Sequence, residues 1–435
     1  MLQPECPSRR DDTIEVTAQR QPTSYIVILM NYPWILSLGI GIGSIVWAEL
    51  VRDVWHSLAH VWQPLYRLHV WHHKAFRPDL TMVDVATYRR AQWVNDVPEA
   101  LAMITLGFGF WAALLPIERP APWLALTGVA YTLIFLAGAV ARGLAVPGAH
   151  ELTDITHLPG AFQAPPSRWL VNRTYHWRHH FDNQNAYFCG TLTAWDKLIG
   201  AALSLKGKRV AVTGAAGGLG QELLRELRRA GAVPIALSSS DRPLDLGDGG
   251  DPVEVVHWQV SDEAALQDVL ARVDILLLNH GVNVHGARDA EAIRRSYEVN
   301  AFSQWRLLEL FLATVSSNRD IARKEVWVNT SEAECNPAFS PLYELSKRTL
   351  GDLVTLRRLD SPIVIRKLIL GPFRSDLNPV GVMSARWVAR QVVALAKRDV
   401  RNIIVTINPL TFLAFPLKEA STSLYFRLFS RRPAA

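Results

Sequence analysis

The chain has 435 residues, which is too long for one ordinary core, so two domains are expected. Hydrophobic residues make up 49% of it, a share that argues against a wholly soluble protein and favours membrane spans. The formal net charge is +6, but Lys and Arg are dispersed and form no basic stripe with aromatic residues, so no nucleic-acid partner is expected.

Three cysteines lie far apart in the chain: Cys6, Cys189 and Cys335. They form neither a disulfide framework nor a CxxC metal motif. This usage fits a reducing compartment, and we interpret the three thiols as structural.

Apolar stretches predict three membrane helices in the N-terminal half. Residues 1–22 lack apolar periodicity and predict a disordered lead-in. Spans are predicted over residues 24–50, 97–115 and 123–140, the last two forming a hairpin around the polar link 116–122. Buried helices of a soluble domain are the alternative.

The placement of basic residues predicts the orientation in the membrane. The hairpin link carries only Glu118 and Arg119, whereas six basic residues lie between the first two spans: Arg52, Arg67, Lys74, Arg77, Arg89 and Arg90. The positive-inside rule then predicts an integral membrane protein with residues 51–96, and everything after Arg142, facing the cytoplasm.

Eight of the 13 histidines fall into three tight groups. These are His56 and His60; His69, His72 and His73; and His176, His179 and His180. Spacings of three and four residues put side chains on one helix face, so each group can point imidazoles at a common centre. Imidazole binds Fe, Zn, Cu and Ni, and so many ligands predict two metal ions or one ion with open positions.

A fourth stretch, residues 150–157, lies between the third span and the last histidine group. His150, Asp154 and His157 are spaced to share one helical stripe. We predict His157 as a further ligand and Asp154 as a carboxylate that orients an imidazole, as Asp53 is placed to do for His56. Whether His150 is a ligand stays open.

The segments DVWHSLAHVWQPLYRLHVWHHK and NRTYHWRHHFDNQNAYFCGTLTAWDKLIGA resemble the fatty acid hydroxylase and sterol desaturase superfamily over residues 25–202. The resemblance implies two iron ions per chain, O2 as co-substrate, an electron donor protein, and a membrane lipid that is hydroxylated or desaturated. The implied ligands are His56, His60, His69, His72, His73, His157, His176, His179 and His180. The alternative is a domain that keeps this fold but whose metal site has lost its catalytic activity.

After Gly207 short β-branched runs alternate with helix-periodic segments, which predicts a doubly wound parallel sheet of the Rossmann type. Strands are predicted over residues 209–213, 233–237, 253–259, 274–279, 325–329, 363–369 and 402–407. The fold class is therefore an all-α membrane domain followed by an α/β domain.

The first strand runs into a glycine loop in which Gly214, Gly218 and Gly220 allow backbone amides to approach a pyrophosphate. Tyr343 and Lys347 are four residues apart on one helix face, so the ammonium group can lower the pKa of the phenol for proton transfer.

With Asn279-His-Gly281 and Thr330-Ser331, these motifs resemble the short-chain dehydrogenase/reductase family over residues 207–407. The resemblance implies that Tyr343 is the acid/base, and that Lys347 lowers the pKa of Tyr343 and binds the ribose of the cofactor. It also implies that Ser331, with Thr330 as the alternative, hydrogen-bonds the substrate, and that Asn300 belongs to a proton relay. NADP, aided by Ser239 and Arg242, is favoured over NAD because no acid ends the second strand. Asn279, Gly281, Lys347 and Ser375 complete the predicted cofactor contacts.

Two positions depart from the usual dehydrogenase pattern. Gln259 stands where an adenine-binding Asp is usual, and the segment from Gly371 to Ala385 is short for a substrate lid. A domain that binds the cofactor without catalysis is therefore an alternative.

The predicted division of the chain is 1–22 lead-in, 23–202 membrane domain, 203–408 dehydrogenase domain and 409–435 amphipathic tail. The tail either lies on a membrane surface or packs as a closing helix. The leading functional hypothesis is a bifunctional oxidoreductase that hydroxylates or desaturates a fatty acyl or sterol-like lipid and interconverts alcohol and carbonyl. Wax-synthesis-like processing of long-chain aldehydes and an NADP(H)-sensing module are the alternatives.

Overall fold

The computed structural model describes residues 33–116, 121–240, 244–247, 249–375 and 377–431. Within them a helical N-terminal region precedes a region built on one parallel sheet, which is the predicted fold class. The predicted lead-in over residues 1–22 and residues 117–120 of the hairpin link lie outside the described part.

The described part of the N-terminal region contains eight α-helices. They are α1 (Pro33–Val61), α2 (Gln63–Lys74), α3 (Val85–Ala91), α4 (Val97–Leu114), α5 (Leu126–Gly143), α6 (Ala149–Thr153), α7 (Arg173–Phe181) and α8 (Ala194–Ile199). A π-helical turn, Gln92–Asp96, joins α3 to α4. Among the described residues, three helical stretches are long and apolar enough to cross a membrane: Trp34–Val61, Val85–Leu114 and Pro122–Gly143. We conclude that the region associates with the membrane.

The first membrane helix extends further than predicted, to Val61 instead of residue 50. Its exposed apolar side chains continue at helical spacing through Val54, Leu58 and Val61. His56, on the opposite face, is buried. The histidines of the first group therefore lie in the last turns of the membrane helix itself and not in a following segment.

Helix α7 is short and almost wholly buried. The Asn172 side chain caps it by accepting a hydrogen bond from the Tyr175 amide at 2.9 Å. All residues from position 174 to 180 are buried. Such a helix needs neighbours on every side, and the two halves of the chain provide them.

The sheet has seven parallel strands in the order β3-β2-β1-β4-β5-β6-β7. They are β1 (Arg209–Thr213), β2 (Val233–Ser238), β3 (Glu254–His257), β4 (Ile275–Leu278), β5 (Glu325–Asn329), β6 (Val364–Leu370) and β7 (Asn402–Val405). The central strands are buried on both faces, as parallel strands covered by helices must be.

Eight helices complete this region. They are α9 (Gly218–Arg229), α10 (Gln267–Ala271), α11 (Ala290–Tyr297), α12 (Ser303–Leu312), α13 (Asn318–Arg323), α14 (Pro341–Arg357), α15 (Ala385–Lys397) and α16 (Thr411–Phe429). One apolar core lies between the sheet and helices α9 and α15. A second core lies on the other face, against α10, α12 and α14.

A buried ionic network joins the two halves. The Arg178 guanidinium in α7 lies 3.1 Å from the Glu325 carboxylate at the start of β5 and donates to the Ala322 carbonyl oxygen at 2.5 Å. Glu325 also receives two hydrogen bonds from Arg366, which pairs with Asp399 at 2.8 Å. Burial opposes ionisation of Glu325, but Arg366 and Arg178 outweigh it and lower its pKa to about 2.

A second ionic contact lies one helical turn further along the chain. Asp182, which follows α7, pairs with Lys208 at 2.8 Å and with Arg323 at 3.1 Å. Beside these charges, Phe162 and Trp177 pack with Ala322 in a small apolar cluster. The junction is therefore ordered, and it lies at the amino ends of the strands.

We expect Glu325→Gln to destabilise the protein by about 3–5 kcal/mol, because two buried guanidinium groups then share one carboxylate. The matched control is Glu291→Gln, which removes an exposed pair with Arg294 and should leave stability unchanged. Thermal unfolding of both variants in detergent measures the difference. Equal unfolding midpoints would show that the buried pair does not hold the halves together.

Candidate metal centre and dinucleotide site

All nine histidines predicted as ligands lie in two adjoining clusters. In each cluster one nitrogen from every ring lies within 4.8 Å of the others. Cluster A consists of His56, His60, His69, His73 and His179, and cluster B of His72, His157, His176 and His180. The rings of His73 and His180, one from each cluster, are 4.7 Å apart.

Each cluster draws its rings from distant parts of the chain. Cluster A combines the end of α1 with α2 and α7, and cluster B combines α2, the 3₁₀ turn Ile155–His157 and α7. Helix α7 is therefore shared, because His176, His179 and His180 divide between the clusters. Four-residue spacing brings His176 together with His180, but the expectation of one common centre for each sequence group is wrong, because His179 joins the other cluster.

Backbone carbonyls fix the protonation of two cluster A rings. His56 Nδ1 lies 2.6 Å from the carbonyl oxygen of Phe188, and His179 Nδ1 lies 2.8 Å from that of Ala186. A carbonyl oxygen only accepts, so both Nδ1 atoms carry the proton and both Nε2 atoms of the neutral rings are bare. His69 is set in the same way by the Asn95 side-chain oxygen at 2.9 Å.

The bare nitrogens face one another at short range. His56 Nε2 is 2.9 Å from His179 Nε2 and 3.1 Å from His69 Nε2. Three lone pairs so close repel unless a cation lies among them. The donor set therefore fits a metal ion, and its carbonyl and amide partners have the role that outer groups play around metal-bound histidines.

Burial keeps the rings outside the membrane helices neutral. It lowers the pKa of His69 to about 4, with the Asn95 hydrogen bond opposing the shift. Burial and neighbouring rings hold the pKa values of His72, His73, His176, His179 and His180 well below the usual range. Neutral imidazole is the form that binds metal, so cations would be bound without first displacing protons near pH 7.

Asp154 contacts His157 Nδ1 at 2.5 Å, which is the orienting contact predicted for it. Although burial opposes it, His157 and His150 hold the pKa of Asp154 well below its usual range. Asp53 differs from the expectation, because it accepts the Gly190 amide at 3.0 Å while His56 turns to Phe188.

His150 lies outside both clusters. Its Nδ1 atom is 3.0 Å from the Tyr88 hydroxyl and 3.5 Å from the Asp154 carboxylate. It therefore contacts the carboxylate that orients His157 and does not join the ligands.

In the second region the glycine loop follows β1. Gly214 has a φ of +63°, and a Cβ there would lie 2.9 Å from the His280 Cα atom. A Cβ at Gly220 would overlap the Gly214 carbonyl oxygen, whereas one at Gly218 would meet no protein atom within 4 Å. Two glycines are thus needed by the fold, and the third borders open space at the amino end of α9, where a pyrophosphate is expected.

Burial raises the pKa of Tyr343, and a hydrogen-bonding interaction with the Ser331 side chain opposes this shift. Ser331 has a φ of +72°, a conformation that costs a non-glycine residue about 1–3 kcal/mol and is concentrated at functional sites. The alternative, Thr330, has a buried hydroxyl with no hydrogen-bond partner among the described residues. The geometry therefore favours Ser331 over Thr330 as the residue beside the phenol.

Lys347 lies behind the tyrosine ring. Its ammonium nitrogen is 5.8 Å from the ring centroid of Tyr343 and donates to the Asn329 carbonyl oxygen at 2.8 Å. Burial lowers the pKa of Lys347 to about 7, with Glu334 opposing the shift. The side chain therefore changes charge near neutral pH.

Asn300 sits in a π-helical turn, Glu298–Phe302, of the kind often found at functional sites. Its side chain bonds the Val282 amide at 2.8 Å and the Val282 carbonyl oxygen at 2.9 Å, and so holds the segment that follows β4. In that segment, Asn279 accepts from the Asn329 side chain at 3.1 Å, and a Cβ on Gly281 would meet Asn300. The relay role of Asn300 stays a prediction.

Two predicted cofactor residues, Ser239 and Ser375, lie at the margins of the site. Ser239 is exposed just after β2, and Gln259, which stands where an adenine-binding Asp is usual, is exposed just after β3. Ser375 is bridged to Asn378 after β6. Arg242 lies outside the described residues.

The family models that match this chain cover the same two halves, the histidine-rich region and the sheet region. The family model for fatty acid hydroxylases matches residues 42–201, and that for short chain dehydrogenases matches residues 208–354. The monoglucosyldiacylglycerol epimerase of Synechocystis is 60% identical over 411 residues, which cover 93% of this chain and 100% of that protein.

The chain belongs to the family of this epimerase. Like that relative, it combines a fatty acid hydroxylase domain with a short-chain dehydrogenase domain, and it is a lipid-modifying oxidoreductase.

Solved structures similar to this member of the epimerase family include two short-chain dehydrogenases. One, from Sphingobium yanoikuyae in complex with NADPH, is 22% identical, with a TM-score of 0.43 over 52% of this chain and 98% of that chain. The other, from Burkholderia cenocepacia in complex with NADP, is 19% identical, with a TM-score of 0.41 over 53% of this chain and 100% of that chain.

Gly218→Ala should fold normally and bind NADPH at least roughly tenfold more weakly, because the new methyl group enters only the open space beside the loop. Gly220→Ala should lower thermal stability as well, since its methyl group meets the Gly214 carbonyl oxygen. NADPH fluorescence titration and thermal unfolding separate the two effects. Unchanged NADPH affinity in Gly218→Ala would contradict the placement of the pyrophosphate.

Proposed function

We propose that this protein inverts one carbinol carbon in the sugar headgroup of a glycosylated diacylglycerol, and that residues 203–408 perform the inversion. The proposal is carried by the contact between Tyr343 and Ser331 beside buried Lys347. It is supported by the 60% identity to a protein named for that epimerisation. The predicted membrane lipid substrate fits the three membrane-crossing helices.

Inversion through a transient ketone is redox-neutral, so it needs no external oxidant. Tyr343 takes the hydroxyl proton while Ser331 hydrogen-bonds the substrate oxygen. NAD(P)+, which the loop at Gly214, Gly218 and Gly220 and Lys347 would hold, would supply a reversible acceptor for the carbinol hydrogen and its electron pair. Tyr343 then returns the proton to the carbonyl oxygen, and the configuration inverts if the sugar ring has presented its other face in between.

Lys347 acts on this cycle through its charge. Burial lowers its pKa to about 7, so the side chain can gain or lose its charge near neutral pH. The protonated form stabilises the phenolate of Tyr343, and the deprotonated form does not. Ser239 and Arg242 favour NADP over NAD as the cofactor. Asn300 is proposed to take part in the proton relay of this site.

We further propose that residues 23–202 bind two metal ions, one in each histidine cluster. The three bare Nε2 atoms of cluster A support this proposal most directly. The family resemblance favours iron, which when bound would supply O2 activation. Hydroxylation of a lipid would consume one O2 and two electrons, so an electron donor protein is then required.

The two sites lie at opposite edges of the sheet. Arg178 of the metal-binding helix meets the amino end of β5, whereas Ser331 follows its carboxyl end. A strand of five residues spans about 16 Å. A lipid oxidised at the histidine centre therefore has to leave it before its alcohol reaches Tyr343, which makes sequential oxidation the second candidate function.

Two further alternatives remain as outcomes of experiment. Long-chain aldehyde processing would use the same Tyr343 chemistry on a different carbonyl. An NADP(H)-sensing domain would not need Tyr343 at all. The Tyr343–Ser331 contact favours catalysis over sensing.

Tyr343→Phe should lower epimerisation by roughly 10²-fold or more while NADPH binding persists, because the phenol proton is lost and the ring is kept. The assay uses monoglucosyldiacylglycerol carrying deuterium at the carbinol carbon. Product that keeps the deuterium without O2 consumption supports the redox-neutral route. Unchanged epimerisation in the variant would exclude catalysis by Tyr343.

His179→Ala should lower the metal content from about two ions toward one per chain, because it removes a bare nitrogen from cluster A and leaves cluster B intact. The matched control is His150→Ala, whose ring lies outside both clusters and should leave the metal content near two ions per chain. Elemental analysis of the purified proteins measures both. Full metal content in His179→Ala would sink the assignment, and NADPH binding reports whether the other half stays folded.

A further inference from the structure

The dehydrogenase domain covers one face of helix α16. Thr411, Phe415 and Glu419 are buried at four-residue spacing. Glu419 pairs with Lys367 of β6 at 2.7 Å and with Arg358 at 2.9 Å. The helix is therefore held against the sheet domain and is not a loose tail.

The outer face is a stripe of large apolar side chains that runs the length of the helix. Each of its four members is between 59% and 68% exposed: Leu413, Leu417, Leu424 and Leu428. The positions 413, 417, 424 and 428 recur at helical spacing, so they share one side. A contiguous apolar surface of this length marks an interaction site on a soluble surface.

The exposed charges beside this stripe are positive. Between residues 411 and 431 the only acidic residue is Glu419, which is buried in its ion pairs. Arg427 and Arg431 are exposed and form no ion pair within the described part of the chain. They border a cavity of about 710 Å³. The acids that also line it, Glu309 and Asp360, are already paired with Arg357.

We propose that the outer face of α16 lies on the surface of a lipid bilayer, with Arg427 and Arg431 against anionic headgroups. Apolar side chains flanked by cationic ones are the combination that interfacial helices use. The membrane helices of the same chain keep the bilayer close, so the helix needs only modest intrinsic affinity.

A second copy of the chain is a poorer occupant of the same face. In a symmetric pair packed through this stripe, Arg427 and Arg431 would find no acid of the partner helix to pair with, because Glu419 is the only acid between residues 411 and 431 and is already paired. Anionic lipid supplies the missing negative charge. The stripe begins near Thr411, which bonds to Glu332 after β5. A helix lying on the bilayer would therefore keep the entrance of the dehydrogenase site near the headgroups of membrane lipids.

The test places a fluorescent label at Leu424→Cys in the full chain, in a background with Cys6→Ser and Cys335→Ser. The matched control label is Arg229→Cys, exposed on α9 across the sheet from α14 and α16. Both proteins are reconstituted in nanodiscs that contain lipids with a quencher near the headgroup. We expect at least roughly twofold stronger quenching at position 424 than at 229, and loss of the difference without anionic lipid or at high salt.

Equal quenching at the two positions would overturn the proposal. So would a disulfide between two copies through position 424 that forms equally in detergent and in nanodiscs, because the face would then belong to a dimer.

A second pair of variants addresses the charges and the stripe directly. Leu417→Glu with Arg427→Glu should abolish the quenching at 424, while Ile293→Glu, an exposed apolar site on α11, should leave it unchanged. NADPH binding and metal content show that each variant is folded. Quenching that persists in Leu417→Glu with Arg427→Glu would count against lipid contact.

Discussion

The buried pair of Arg178 and Glu325 is the interaction on which the arrangement of this protein depends. Arg178 stands between His176 and His179 in α7, so the residue that binds the sheet lies within the helix that presents three histidines. Because Arg366 and Asp399 extend the network, the charges are neutralised as a group. The position of the histidines is therefore fixed partly by the dehydrogenase sheet.

This constraint also orients the two sites away from each other. A parallel sheet carries its ligands at the carboxyl ends of its strands, and here the amino ends are occupied by the histidine domain. The proposed nicotinamide site therefore opens on the side opposite the histidine clusters. A lipid that passes from one site to the other has to move around the sheet and not through it.

Spacing in the sequence was sufficient to predict which histidines assemble, because HxxxH and HxxHH patterns fix a helix face whatever surrounds the helix. The glycine loop and the Tyr343–Lys347 pair were predictable for the same reason. The groups that hydrogen-bond the histidine rings could not be predicted from the sequence. His56 and His179 are oriented by the carbonyls of Phe188 and Ala186, and a backbone carbonyl leaves no mark in residue type. Asp53 looked suitable by spacing, yet the Gly190 amide binds it. Arg178 also carries no signal in the sequence, since its partner lies 147 positions away.

The short, buried helix α7 has a consequence for how such a protein arises and changes. The histidines of this helix belong to the membrane domain, whereas Arg178 and the following Asp182 contact the dehydrogenase domain. The two halves are therefore not structurally independent. Exchanging either half for that of a distant relative would leave Glu325, Arg366 and Lys208 buried against unmatched surfaces. An exchange that preserves these ion pairs has to carry both sides of the junction together.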